Sequence, residues 1–313
     1  MNRAITAYLA ELEARGLSLS LRKSSLYALE WLTVYLREAY NVTDWRAVTE
    51  NQLHRFALHL RRDHRTRKGE PLKEATVNRV LACVRSFFAW QHRRGALLYN
   101  PAERQTPSKS EYPLPHVLSE ADITRLIETP DTETAIGLRD RALMEVLYAT
   151  GIRHGEAHRL DLYDADLSAR RLTVRLGKGQ RDRIVPLTEN AAHWLLKYLS
   201  QARPELARGQ RKRGKPKMLP SSALWLARTG KRLSYSWIEQ LIKGYAKEAD
   251  VKANVHTFRH CCATHLLRHG ASIRHIQKLL GHSNLYATQI YLNLDTADLA
   301  RAVAKLPQPS LKA

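Results

Sequence analysis

The stretch LRDRALMEVLYATGIRHGE, residues 138–156, decides how the second half of this 313-residue chain is read. From about Leu138 to Thr150 it reads as a strong helix, and Gly151 is its C-terminal stop. Arg153 and Glu156 follow at once, in Ala149-Thr150-Gly151-Ile152-Arg153-His154-Gly155-Glu156. Taken alone, a Gly-Ile-Arg after a helix is an ordinary cap.

Downstream, Leu172, Val174 and Leu176 alternate. Gly177-Lys178-Gly179-Gln180 and Ile184-Val185-Pro186-Leu187 come next, which predicts a β-hairpin with Lys178 at its tip or flank. After Leu187 the helical period resumes to the end, apart from a short strand expected at Ala223–Leu226. Upstream, Ser119 is a good N-cap with Asp122 in the first turn.

Residues 1–105 read as helices throughout. Ile5, Tyr8, Leu9 and Leu12 recur at helical spacing, and Gly16 stops the run. Leu26, Leu29, Trp31, Leu32, Tyr35 and Leu36 make a second helix. Thr49 caps a third, with Leu53, Phe56, Ala57 and Leu60 on its apolar face. After Gly69-Glu70-Pro71, a fourth carries Val77, Val80, Leu81, Val84, Phe87, Phe88 and Trp90, whose aromatics read as core. Pro101, Pro107, Pro113 and Pro115 punctuate residues 101–115. The expectation is a helical domain over 1–105, an extended linker over 106–115 and a second domain over 116–313. The fold class is mainly α with a small β-sheet (α+β).

Hydrophobic residues make up 44% of the chain and charged residues 26%, which excludes a disordered protein. Lys and Arg number 51 against 30 Asp and Glu, a net charge of +21, so a polyanionic partner is expected. Charge alone does not separate DNA, RNA and an anionic membrane. The surplus is shared: residues 1–110 hold 19 Lys and Arg against 10 Asp and Glu. Two basic halves suit a protein that grips a duplex from two sides. Cys83, Cys261 and Cys262 are odd in number with no metal-like spacing, and read as buried thiols. No run approaches the roughly 18 apolar residues of a membrane span. Glu11, Glu13 and Arg15 interrupt any signal-peptide core. A cytoplasmic protein without a membrane partner is the expectation.

Five short stretches of the second half place basic residues near turns. They are the Arg153 stretch, Gly177-Lys178-Gly179, His256-Thr257-Phe258-Arg259-His260, Leu279-Leu280-Gly281-His282, and Gln289-Ile290-Tyr291. Each is weak alone. In this order, with Tyr291 nine residues after His282, they resemble the tyrosine recombinase (phage integrase) family, and closely its Xer-like members. Thr76-Val77-Asn78-Arg79, Phe87-Phe88-Ala89-Trp90 and Asn100-Pro101-Ala102 resemble that family's SAM-like core-binding domain.

The resemblance implies a site-specific recombinase acting on double-stranded DNA, with Tyr291 as nucleophile and Arg153, Lys178, His256, Arg259 and His282 as its catalytic companions. Glu156 would orient Arg153 by a salt bridge, and His260 would be structural. It also implies no cofactor, no metal and no ATP, and a tetramer on two duplexes. The C-terminal helix, capped by Asp295 or Thr296 and ended by Pro307, either packs on its own domain or, as the resemblance suggests and as we expect, is exchanged between protomers. His154 and His158 depart from the family pattern, where small or apolar residues are commoner, and leave the packing around Arg153 open. Residues 203–218 hold seven Lys and Arg against one Glu, either a solvated loop or an added phosphate contact. A type IB topoisomerase and a non-catalytic DNA-binding factor are the rivals. The helical first half disfavours the former, and the full set of expected catalytic residues disfavours the latter.

Overall fold

A computed structural model describes residues 1–66, 68–108, 116–175, 182–209 and 221–281. The chain divides into two compact units, Met1–Tyr112 and Pro113–Ala313.

The first unit is built from α1 (Asn2–Ala14), α2 (Leu19–Tyr40), α3 (Glu50–Arg62) and α4 (Glu74–Arg93). Ser18 opens α2, its side chain accepting the Leu21 N–H at 3.2 Å, so this helix begins about two turns before Leu26, the first apolar residue of the sequence pattern. Thr49 and Gln52 form a reciprocal capping box at the start of α3, with side-chain-to-backbone bonds of 3.3 and 2.9 Å. Leu29, Leu32, Leu36, Leu53, Phe56, Val84, Phe87 and Phe88 are buried together between the helices. Each such side chain contributes about 1.5–3 kcal/mol by leaving water. Tyr8 and Trp45 extend this aromatic core, with Tyr8 donating to Ser86 Oγ at 2.7 Å.

The proline-rich segment behaves differently from a free linker at its start. Ala102 is buried in the first core. Arg85 Nη1 on α4 donates to the Gln105 carbonyl at 2.9 Å, and the Asn78 side chain brackets Ser108, donating to its carbonyl at 3.0 Å and accepting its N–H at 3.2 Å. Polar side chains of α4 thus satisfy backbone groups that an extended linker would leave to water. Residues 109–115 lie outside the described residues.

The second unit comprises α5 (Glu120–Glu128), α6 (Ala135–Thr150), α7 (His154–Arg159), β1 (Ala165–Asp166), β2 (Arg171–Val174), β3 (Arg183–Pro186), α8 (Glu189–Lys197), α9 (Arg203–Arg208), α10 (Tyr235–Glu248), α11 (Val255–Arg268) and α12 (Ile273–Leu280). Thr134 caps α6 three residues earlier than the apolar pattern alone predicts, accepting the Gly137 N–H at 3.0 Å. This helix is buried nearly all round, as expected at the centre of a core. Arg139 and Asp140 within it are tolerated because they pair at 2.7 Å, while Arg139 Nη1 also donates to the Leu226 carbonyl and the Tyr245 hydroxyl donates to Asp140.

The three strands form one antiparallel sheet in the order β1-β2-β3, with Leu172 opposite Val185. The hairpin expected from the sequence is therefore present in β2 and β3, and its connection at 176–181 lies outside the described residues. Ala223–Leu226 is buried but is not a strand. It makes isolated bridges, Ala223 with Asp161 and Leu226 with Arg232, and its polar groups are met mainly by separate segments, as where Leu224 N donates to Leu160 O at 2.9 Å. An apolar run of four residues reads the same whether or not a ladder forms.

Helix α8 runs through one π-helical turn at Tyr198–Ala202 into α9. The start of the basic stretch is thus helical, and Arg203 is structural: its Nη2 holds the Ser221 and Ala223 carbonyls, both at 2.7 Å. The thiols of Cys261 and Cys262 are buried, and burial pushes them up to about 11 and about 12, which leaves them unreactive at neutral pH. Among the described residues no helix is long and apolar enough to cross a membrane.

Gly151 ends α6 in the left-handed region, φ +58°, where a Cβ would stand 2.6 Å from Leu280 Cδ2 and 3.2 Å from Cys262 Sγ. Gly151→Ala is expected to destabilise the protein by about 1–3 kcal/mol through overpacking alone. Thermal melting checks this; an unchanged midpoint would mean that α12 does not pack on the end of α6.

Candidate active site

The stop at Gly151 places Arg153 just before α7, and the first turn of that helix folds Glu156 back upon it. Glu156 Oε2 accepts the Arg153 backbone N–H at 2.8 Å, and Oε1 takes Arg153 Nη1 at 3.0 Å. The Glu156 side chain is 2% exposed and that of Arg153 is 40% exposed. The guanidinium thus reaches the surface while its anchor stays dry. A second arginine completes the anchor: Arg183, on β3, donates Nη1 to Oε1 at 3.1 Å and Nη2 to Oε2 at 2.8 Å. Burial by itself would raise the Glu156 pKa. The Arg183 fork and the Arg153 contacts outweigh it and bring the carboxyl down to about 2.

Arg259 arrives from α11. Asn254 caps that helix by exchanging bonds with Thr257, both at 3.1 Å. One turn in, Arg259 is buried, with Nη1 on the Gly151 carbonyl at 2.6 Å and Nη2 on the Leu280 carbonyl at 2.9 Å. His256 is exposed on the first turn of α11, near His260. His260 is half-buried, and burial, then the nearby His256 and Arg259, push it down to about 4, so it is neutral at physiological pH.

The end of α12 is where these groups meet. A helix leaves its last carbonyls unpaired and carries negative potential there. Arg183 Nε takes the Leu279 carbonyl at 2.9 Å, Arg259 takes that of Leu280, and Arg153 Nη2 takes that of Gly281 at 3.1 Å. Three successive carbonyls are each held by a different arginine.

Of the residues singled out in the sequence, Arg153, Glu156 and Arg259 are thus brought together. His256 and His260 lie on α11 with Arg259. Lys178, His282 and Tyr291 lie outside the described residues; His282 directly follows Gly281. The two histidines that departed from the family pattern have a packing role. His154 stacks on Tyr235 with ring centroids 3.6 Å apart and its Nε2 lies 2.9 Å from that residue's carbonyl, while His158 Nδ1 lies 3.0 Å from the Leu233 carbonyl.

Arg183 is the residue that sequence reasoning missed. Its signal was present: strand side chains alternate faces, so Arg183 shares the inward face of Val185. An arginine on the apolar face of a strand requires polar partners in the interior, a carboxylate or backbone carbonyls.

Because the folded pKa of Glu156 lies below its unfolded value, its charge stabilises fully above about pH 4.5 and is lost as pH falls toward 2. The contribution is on the order of 3 kcal/mol. In denaturant titrations, Glu156→Gln is expected to lower stability at pH 7 and to flatten the fall in stability between pH 4.5 and 3 by up to one proton. Parallel wild-type and variant curves would contradict the buried, doubly paired carboxylate.

Residues 116–298 match the phage integrase family, and residues 5–95 match the phage integrase N-terminal SAM-like domain. The chain is 36% identical over 266 residues to a tyrosine recombinase XerC 2 of Ralstonia nicotianae, covering 84% of this chain and 73% of that protein. It is 34% identical over 282 residues to a tyrosine recombinase XerD of Listeria monocytogenes, covering 90% of each. Its fold is similar to that of XerH site-specific recombinase bound to a palindromic difH substrate, with TM-score 0.72, 19% identity, and 95% and 84% of the two chains covered. It is also similar to that of a lambda integrase dimer bound to a core site, with TM-score 0.69, 13% identity, and 100% and 99% covered. These last two likenesses concern the fold. The chain belongs to the phage integrase family.

Proposed function

We propose that this protein is a site-specific DNA recombinase that cleaves and rejoins DNA strands through a 3′-phosphotyrosine at Tyr291. The observation that carries the reading is the convergence of Arg153 and Arg259 on the carbonyl end of α12, directly before His282 and ten residues before Tyr291.

The chemistry follows from what a phosphodiester needs. Its anionic oxygens repel a nucleophile, and fixed cationic donors remove that barrier. Guanidinium forks match phosphate geometry. Arg153 and Arg259 neutralise the non-bridging oxygens, with Glu156 holding Arg153 in place. His256 or His282 accepts the phenolic proton, since a tyrosine of ordinary pKa about 10 is weakly nucleophilic at neutral pH. Tyr291 attacks phosphorus, the 5′-oxygen leaves, and Lys178 protonates it. Attack by the 5′-hydroxyl of a second strand reverses the step. The ester conserves the bond's energy, so rejoining needs no ATP.

In this reading residues 1–105 form the core-binding domain, 106–115 the connection and 116–313 the catalytic domain. The partner is double-stranded DNA carrying specific sites, and the net charge of +21 supports a phosphate backbone as the ligand. The working assembly is a tetramer on two duplexes, with the segment after Tyr291 docked on a neighbouring protomer. Leu299, Val303 and Leu306 recur at helical spacing there, and a helix of about ten residues is too short to be stable alone.

On a nicked site that traps the intermediate, Tyr291→Phe is expected to bind DNA as the wild type does and to give no covalent adduct on a denaturing gel. Arg153→Ala and Arg259→Ala are each expected to lose about 10²–10³ in cleavage rate. Wild-type adduct from Tyr291→Phe would sink the reading. Removing residues 297–313 is expected to leave half-site binding intact and to weaken cooperative filling of a full site; undiminished cooperativity would contradict docking between protomers.

A further inference from the structure

Arg183 touches three elements at once. Its fork holds both oxygens of Glu156, and its Nε holds the Leu279 carbonyl of α12. Its guanidinium lies flat against Gly281, where a Cβ would stand 3.0 Å from Nη1; that glycine has φ +65°. The side chain is 10% exposed. Arg183 also opens β3, just after the segment that carries Lys178.

We propose that Arg183 is a positioning residue for Arg153, acting through the carboxylate that the two arginines share. The inference rests on the recombinase reading above. Glu156 Oε1 is divided between Arg153 Nη1 at 3.0 Å and Arg183 Nη1 at 3.1 Å. A buried carboxylate left with one cation draws that cation to itself, because an unmatched buried charge is costly. Without Arg183, Glu156 takes the Arg153 guanidinium as its sole partner and pulls it inward, away from the scissile phosphate. With Arg183 present, the carboxylate is satisfied from behind, and Arg153 keeps donors directed outward.

The same geometry makes Arg183 a poor candidate for replacement by lysine. An ammonium is a point charge and does not span two carboxylate oxygens and a helix carbonyl with a planar fork. It also has no flat face to lie against the Gly281 backbone.

The test is single-turnover cleavage of a nicked site by the full chain, alongside DNA affinity and thermal melting. Arg183→Lys and Arg183→Ala are expected to cleave about 10²-fold more slowly, the effect of an ångström-scale misplacement, with DNA affinity near that of the wild type. In an Arg153→Ala background, Arg183→Ala is expected to cost little further rate, because its route to the phosphate is already gone. A purely structural arginine would cost the same factor in both backgrounds, and that result would overturn the proposal. So would wild-type cleavage by Arg183→Lys, which remains informative if the alanine variant does not fold. A substrate with sulfur in place of the 5′-bridging oxygen needs no general acid. It is expected to leave the deficit in place; rescue by sulfur would assign Arg183 to the Lys178 turn and overturn the Arg153 route. Tyr291→Phe serves as the control: an adduct from it would defeat the recombinase reading, whereas its silence with additive Arg183 losses would defeat only the present inference.

Discussion

Gathering several guanidiniums at one point is electrostatically unfavourable unless something negative lies behind them, and the second unit is organised around supplying it. One full negative charge comes from Glu156, bonded by both Arg153 and Arg183. The rest comes from the carbonyl end of α12, whose last three oxygens are distributed among Arg183, Arg259 and Arg153. The cluster still retains a net positive charge, which is what the proposed phosphate ligand requires. Each element has a place in this arrangement: α6 stops at Gly151 to release Arg153, and α11 crosses the end of α6 to bring Arg259 onto the Gly151 carbonyl.

This arrangement also ties the site to the fold of the unit. The carbonyls that hold the arginines belong to backbone, so the arginines hold α12 as much as α12 holds them. Leu280 supplies one of those carbonyls, and its side chain packs with Ala263 of α11 and Ile276 of α12. A shift of α12 therefore alters the donors of three arginines together. The segment that follows it in sequence carries His282 and the proposed nucleophile, Tyr291.

Much of this was legible in the chain because local signals agreed with one another. Thr49, Ser119 and Gly151 mark helix ends by specific backbone chemistry, and the apolar faces of α3 and α4 repeat at the helical period. The ordered motifs identified Arg153, Glu156 and Arg259, which the fold brings together. What was not legible lies where local pattern and tertiary context part. Strand β1 has two residues, too few for an alternation to show. Ala223–Leu226 is apolar because it is buried on all sides, and that composition says nothing of a ladder. Ser108 is held by Asn78 of α4, a pairing thirty residues apart in sequence. Arg183 escaped notice because its partners come from α7 and α12, although its place on the inward face of β3 marked it as paired.

The account stands on one covalent bond, which mass spectrometry of the trapped protein–DNA intermediate can locate. Digestion by trypsin after Lys278 and Arg301 isolates residues 279–301, a peptide that contains two tyrosines, Tyr286 and Tyr291. After nuclease treatment, fragmentation of that peptide is predicted to place the residual 3′-nucleotide on Tyr291. A nucleotide on Tyr286, on any residue outside this peptide, or on none would contradict the account.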